Sequence, residues 1–291
     1  MTVRVAIGMP VYNGAKWLGP TIETLLAQRF GDFELTVSDN ASTDPTEELV
    51  RALAARDRRV RYHRNAENIG VARNFSLAFK LTRAPLFKWL SCGDALHPDF
   101  LARCVEEHER RPDAVLIYPA TRLFEHDVTE GVDSIDPFDL DVPDPVERVR
   151  AYLTQVGLNN IMHGVYRSEA LARTRLYSPF LGADINMIAE VLLHGRVVQL
   201  REVLNYRRTH AETITRYLAA ADLRKMYAPN NPSALKYQSW HAMLDYLGLP
   251  LRAAPLSLAE RLRLLGFLSR VAFWRREDLL SELKARGMAA K

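Results

Sequence analysis

The chain opens with short apolar runs that each end in a polar or turn-forming cluster. The runs are residues 3–7, 33–37, 60–62 and 86–90. The clusters are Pro10-Val11-Tyr12-Asn13, Ser38-Asp39-Asn40, Arg64-Asn65 and Ser91-Cys92-Gly93-Asp94. Helical periodicity fills most of the gaps. Residues 15–29 place Leu18, Ile22, Leu25 and Leu26 on one face. Asp44-Pro45-Thr46-Glu47 predicts a second helix, with Asp44 as N-cap, Pro45 in the first turn and Glu47 closing a capping box. A third helix is predicted over 71–81. A fourth starts at Pro98, with Leu101, Val105 and His108 on one face, and 114–118 reads as a fifth strand. This alternation predicts an α/β fold with a mostly parallel sheet flanked by helices. Ligands of such sheets collect beyond the carboxyl ends of the strands. The polar clusters therefore converge on one site holding Asp39 and Asp94, with Arg73 in reach from a neighbouring helix.

The pattern changes after residue 118. Residues 125–144 are acidic and carry Pro137 and Pro143, which predicts a long loop or a hairpin with a loop. A helix over 145–156, an apolar segment at 161–166 and a helix from Ser168 follow. Gly182-Ala183-Asp184 precedes an apolar helix over 185–193. The last strand is predicted at 197–204 and leads into Arg207-Arg208-Thr209-His210. Beyond about residue 218 the chain reads as helical and separate from the sheet.

Composition narrows the function classes. The 291 residues are 48% apolar and 25% charged, ordinary for a globular protein with a real core. No run of eighteen apolar residues is present, so no membrane span is expected. Without an export signal at the start, Cys92 and Cys104 read as free thiols, and a cytoplasmic location is expected. None of the eight histidines has zinc-site spacing. From Arg252 to Lys291, nine Lys/Arg face four Asp/Glu, which accounts for the whole net charge of +4. A basic tail on a near-neutral body argues against a nucleic-acid partner. The tail interleaves Leu258, Leu262, Leu265, Phe273 and Trp274 with Arg261, Arg263, Arg270, Arg275 and Arg276. That fits an interfacial helix in peripheral contact with the inner face of a membrane. It also fits a terminal helix packed on the core with a basic outer face, which is the preferred expectation.

Four segments, in order and spacing, carry a family likeness: Ile7-Gly8-Met9-Pro10-Val11-Tyr12-Asn13, Val37-Ser38-Asp39-Asn40-Ala41-Ser42-Thr43-Asp44, Asn68-Ile69-Gly70-Val71-Ala72-Arg73-Asn74 and Trp89-Leu90-Ser91-Cys92-Gly93-Asp94-Ala95-Leu96-His97-Pro98. Over roughly residues 3–215 the chain resembles the inverting GT-A glycosyltransferases of family 2. The resemblance implies a GT-A domain over 1–217, with a nucleotide-binding half (1–118) and an acceptor and catalytic half (119–217), followed by a helical extension over 218–291. It implies a nucleotide-diphosphate sugar donor, in the first place a UDP-sugar, a glycan or lipid-linked acceptor, and Mn²⁺ or Mg²⁺. By the same resemblance Pro10 and Tyr12 line the base pocket. Asp39 accepts from the imide N–H of the base, and Arg73 contacts base or diphosphate. Asp94 stands for the last carboxylate of a metal-binding Asp-x-Asp. The chain departs from that pattern with Ser91, Cys92 and Gly93. One carboxylate still suits a hard cation if the diphosphate and water supply the other oxygens, whereas a Cys92 thiolate does not.

Asp184 lies where the family places its catalytic base, although an Asp there is also a plain helix cap. Glu190, six residues on, reads as structural. His210 would complete the metal shell or touch the diphosphate, Arg207 and Arg208 would bind phosphate, and His163 would line the acceptor pocket. Two rivals stand beside this assignment. A nucleotidyltransferase would show a basic Gly-rich loop after the first strand, which residues 8–16 lack. A non-catalytic nucleotide-sugar binder is motivated by the thinned acidic motif. A dinucleotide-binding dehydrogenase is disfavoured because no G-x-G-x-x-G follows the first strand.

Overall fold

The computed structural model describes residues 3–209, 226, 227, 229, 237–252 and 256–287. Four parallel strands form one half of a nine-stranded sheet: β1 (Val5–Val11), β2 (Phe33–Asp39), β3 (Val60–Arg64) and β4 (Leu86–Trp89), in the order β3-β2-β1-β4. The order continues through β8 (Val165–Arg167), β6 (Ala114–Phe124), β9 (Arg196–Arg208) and β5 (Ala95–Leu96), with β7 (Val132–Ser134) paired to β6. All seven residues of β1 are buried. Covering helices on both faces explain why the run is continuously apolar rather than alternating.

The first strands extend past the apolar runs. Pairing continues through Pro10↔Ser38 and Val11↔Asp39, so Pro10 and Asp39 lie inside strands rather than in the loops beyond them. β6 likewise runs to Phe124 and pairs with β9 as far as Arg208. The acidic segment resolves as a hairpin, since β7 folds back antiparallel on β6.

The helices are α1 (Ala15–Leu26), α2 (Thr46–Arg56), α3 (Val71–Lys80), α4 (Phe100–Arg110), α5 (Pro145–Gln155), α6 (Ser168–Ala172), α7 (Ala183–Val191), α8 (Gln238–Arg252), α9 (Leu258–Trp274) and α10 (Arg276–Gly287). The capping box expected at Asp44 does not form. Asp44 accepts from the Thr46 N–H with one oxygen (3.1 Å) and from the Ala15 N–H with the other (3.0 Å), which ties the starts of α1 and α2 together. Glu47 pairs instead with Arg51 one turn on.

Strand alternation divides the interior into two apolar clusters. Leu86 and Leu90 point into one with Leu18 and Ile22 of α1. Phe87 and Trp89 point into the other. That second cluster continues through α5 and α7 into Met243, Tyr246, Leu264, Phe267 and Leu268. The C-terminal helices thus join the same core, reached through α5 and α7. Among the described residues no helix is long and apolar enough to cross a membrane.

Candidate active site

At the carboxyl end of β2, Asp39 has no exposed surface. One of its oxygens accepts from the backbone N–H (2.9 Å) and the hydroxyl (2.5 Å) of Ser42, and the other from Tyr62 Oη (2.6 Å) and Arg64 Nη1 (2.8 Å). A carboxylate offers about four lone-pair sites, so all are in use. A base imide reaches Asp39 only if Tyr62 or Arg64 swings aside. Beside it Tyr12 follows β1 directly, with half its surface exposed. Ser42 and Asn13 lash the β1 and β2 loops together: Asn13 N–H donates to Ser42 Oγ (2.9 Å), and Asn13 Oδ1 accepts from the Thr43 N–H (2.8 Å).

A buried amide network sets the third loop. Asn40 Oδ1 accepts from Asn65 Nδ2 and from the Ile69 N–H, both at 3.0 Å. Asn74 bonds the Ser38 carbonyl (2.8 Å) and the Ser38 hydroxyl (2.8 Å). These contacts fix the start of α3, where Arg73 is exposed toward solvent. Gly70 opens α3 with φ +83°, and an added Cβ would lie 2.5 Å from the Tyr227 carbonyl oxygen. Only glycine satisfies both demands.

Asp94 is buried after β4. Its Oδ1 accepts from the Arg208 N–H (3.0 Å), while Oδ2 has no hydrogen-bond partner. Burial pushes its pKa up to about 6, against the opposing pull of Arg207, the Arg208 N–H and Lys88. His163 Nδ1 stands 3.5 Å from Oδ2. This contact is not an ion pair, because burial, with Arg207 and Lys88 adding to it, holds the imidazole pKa well below its ordinary value. Lys88, fully buried on β4, donates to the His163 carbonyl and lies 4.3 Å from the Phe100 ring centre. Its pKa falls to about 8 through burial.

Cys92, next to this group, is held as a neutral thiol by burial, with its pKa raised to about 12. Arg208 is committed elsewhere. Its guanidinium stacks between Trp17 (4.2 Å) and Phe124 (4.4 Å) and donates to the Gly93 carbonyl (3.1 Å). These residues wall a cavity of about 220 Å³ that also touches Thr21, Asp94 and Asp127.

Asp184 sits in the first turn of α7 but does not cap it. The N-cap is Gly182, in the left-handed region, without a side-chain bond. Asp184 Oδ2 instead accepts from Asn159 Nδ2 (2.7 Å), and Asn159 Oδ1 accepts from Tyr152 Oη (2.6 Å). Burial foremost, and the Asp184 charge after it, raise the pKa values of Tyr152, Tyr166, Tyr177, Tyr227 and Tyr246, so this carboxylate is ringed by phenols that stay neutral.

One 3₁₀ turn, Asn160–His163, links the two carboxylates. Asn159 precedes it and holds Asp184, and His163 ends it against Asp94. At about 2 Å rise per residue those two anchors lie within about 8 Å. The predicted residues therefore divide into groups. Asp94, His163, Arg207 and Arg208 come together, and Asp184 joins them through the 3₁₀ turn. Pro10, Tyr12 and Asp39 lie at the neighbouring ends of β1 and β2, and Arg73 is exposed at the start of α3. His210 lies outside the described residues.

Sequence reasoning missed Tyr62, Arg64, Lys88, Asn159 and Asp136. Lys88 did have a signal, a lone charge inside the apolar run 86–90. Asp136 had none, being one acid among many in its loop. It meets Tyr118 and Asn160, its Oδ2 is buried without a partner, and burial raises its pKa.

For a divalent cation the fit is partial. Asp94 Oδ2 is an unused buried carboxylate oxygen with a neutral imidazole nitrogen beside it, and both are ordinary ligand atoms. Among the described residues no group of three or more His, Cys, Asp or Glu side chains gathers to hold an ion. Asp94 and His163 would therefore share a cation with an incoming diphosphate rather than cage it.

The chain is similar to known proteins in sequence and in fold. The family model for glycosyl transferase family 2 matches residues 6–177, more than half of the chain. A chondroitin synthase of Escherichia coli is 29% identical over 118 residues, which is 40% of this chain and 17% of that protein. An uncharacterized glycosyltransferase of Rickettsia felis is 36% identical over 97 residues, 33% of this chain and 16% of that protein. The matched region thus spans less than a fifth of either relative. Staphylococcus aureus TarS in complex with UDP superposes with a TM-score of 0.66 at 16% identity, covering 94% of this chain and 73% of that one. A Pyrobaculum calidifontis mannosyltransferase in complex with GDP-Man and Mn²⁺ gives 0.53 at 17% identity, covering 100% and 87%. At these identities the likeness speaks to the fold, which is of GT-A type.

Proposed function

The chain belongs to glycosyl transferase family 2, and from that premise we propose that it moves a sugar from a nucleotide-diphosphate donor, a UDP-sugar in the first place, to a hydroxyl acceptor with inversion. The observation that carries the proposal is the unused Asp94 oxygen at the carboxyl end of β4, set among Lys88, Arg207 and His163. A diphosphate brought there meets cationic side chains and one carboxylate oxygen still free to ligate. Mn²⁺ or Mg²⁺ bound at Asp94 Oδ2, with His163 Nδ1 in reach, would offset the charge that develops on the departing diphosphate. The fold neighbours that carry UDP, and GDP-Man with Mn²⁺, support this class of donor.

Base and ribose would lie against Pro10, Tyr12 and Asp39, with Arg73 closing from α3. Asp39 then exchanges Tyr62 or Arg64 for the imide N–H. Asp184 takes the proton of the acceptor hydroxyl as that oxygen attacks the anomeric carbon, and the bond from that carbon to the diphosphate breaks on the opposite side. Asn159 holds the Asp184 carboxylate in place, and preorganised positioning of this kind carries much of the rate. Residues 1–217 form the transferase domain in this scheme, with a glycan or lipid-linked acceptor entering by the half after residue 118.

The test is proton NMR of α-linked UDP-, dTDP- and GDP-hexoses hydrolysed by the protein with Mn²⁺, water standing in for the acceptor. The expected first product is the β-hexose. The α-hexose appearing first would exclude inversion, and absence of diphosphate release from every donor would overturn the transferase assignment.

A further inference from the structure

α9 has two apolar faces, and the core uses only one. Leu264, Phe267, Leu268 and Val271 are buried against α5 and α8. On the opposite side Leu258, Leu262, Leu265 and Phe273, at i, i+4, i+7 and i+15, form one stripe with 42% to 74% of each residue exposed. A helix of 17 residues is about 25 Å long, so the stripe is an extended strip rather than a spot. Trp274, the last residue of α9, is exposed as well, on the other side of the helix axis. Arg261 bonds the Leu251 carbonyl, which brings the exposed Leu251 of α8 beside the other end.

Basic groups rim the strip. Arg270 and Arg275 are exposed, and the Arg276 guanidinium stacks 4.2 Å from the Phe273 ring centre. We propose that this outer face of α9 docks on the surface of an anionic lipid bilayer. Leucines with terminal Trp and Phe between arginines are the composition of a helix lying in the headgroup region. The packed helix and the interfacial helix are thus the two faces of one element.

Charge decides the occupant. Two copies of the chain packed strip to strip would bring their arginine rims together, whereas an anionic surface neutralises them. This inference does not rest on the donor-site proposal.

The test is co-sedimentation of the full chain with phosphatidylcholine vesicles, and with vesicles containing about 30% phosphatidylglycerol. Binding to the anionic vesicles alone is expected, falling several-fold in about 0.5 M salt. The Leu262→Ser/Phe273→Ser variant should lose about tenfold or more in vesicle affinity. Its melting temperature should hold, because both side chains are already exposed. Arg270→Gln/Arg275→Gln/Arg276→Gln should abolish the preference for anionic lipid. Equal binding to both vesicles, no binding, or unchanged binding by the Leu262/Phe273 variant would overturn the proposal. So would a wild-type oligomer in light scattering that the same variant dissolves, since the strip would then belong to a second copy.

Discussion

Replacing Asp184 by Asn separates catalysis from folding with little ambiguity. The Asn159 Nδ2 donor that now reaches Asp184 Oδ2 at 2.7 Å can donate equally well to the amide oxygen of an asparagine. Asp184 does not cap α7, so no backbone N–H loses its acceptor. A net hydrogen bond is worth about 1 kcal/mol, and here it is kept, so stability should change by no more than about that amount. The amide cannot take a proton. General-base catalysis contributes roughly 10²–10⁴-fold, about 3–5 kcal/mol of barrier, and kcat should fall by that factor. Donor affinity should not move, because Asp39 and Asp94 lie on other elements. The assay pairs diphosphate release under saturating donor with calorimetric titration of the nucleotide. Asn159→Ala should lower kcat less and likewise leave donor binding unchanged. Transfer by Asp184→Asn within about threefold of wild type, far short of the loss a base implies, would refute the assignment of the base.

Other expectations follow from burial and backbone geometry. Asp94 has its pKa raised to about 6, above the ordinary 3.8. The unfolded chain therefore releases this proton first, and the group lowers stability progressively as pH rises from about 4 to 6. Asp94→Asn removes that dependence. Its stability relative to wild type, from urea unfolding, should improve between pH 4 and pH 7 by about 3 kcal/mol, at about 1.4 kcal/mol per pKa unit. Lys88 pulls the Asp94 pKa down, so Lys88→Met should move the carboxyl titration upward, as followed by carbon-13 NMR. No upward movement would place Lys88 outside the electrostatics of the site. Gly70→Ala meets both φ +83° and the Tyr227 carbonyl at 2.5 Å. It should cost about 1–3 kcal/mol and lower the melting temperature, and an unchanged melting temperature would count against this geometry.

The sheet was readable because β1 is a continuous apolar run and the other early strands are short apolar-rich segments, each closed by turn residues, and a fully buried parallel strand produces the first pattern for physical reasons. The site was readable as a place, since strand ends converge whatever their side chains. Its wiring was not. Asp39 looked like a free acceptor, yet Tyr62 and Arg64 from β3 occupy it, and a partner that far along the chain leaves no local trace. Asp184 read as the family's base or as a plain helix cap; Gly182 takes the cap position, and the carboxylate accepts from Asn159 instead. The tail was read as either packed or interfacial because a heptad-like list of leucines cannot tell which of two faces the core will claim. The sequence shows the imidazole of His163, but its pKa is lowered by a burial that only the folded chain creates.

The donor site itself rests on Asp94, and one calorimetric experiment addresses it. UDP is titrated into the protein with Mn²⁺ and then with excess chelator, first in wild type and then in Asp94→Asn, with GDP and dTDP alongside. The expected result is binding of one of these nucleotides that needs the metal and is lost in Asp94→Asn while the variant stays folded. Failure of all three to bind wild type in the presence of Mn²⁺, or binding that persists in Asp94→Asn at wild-type affinity, would contradict a nucleotide-sugar site built on this carboxylate.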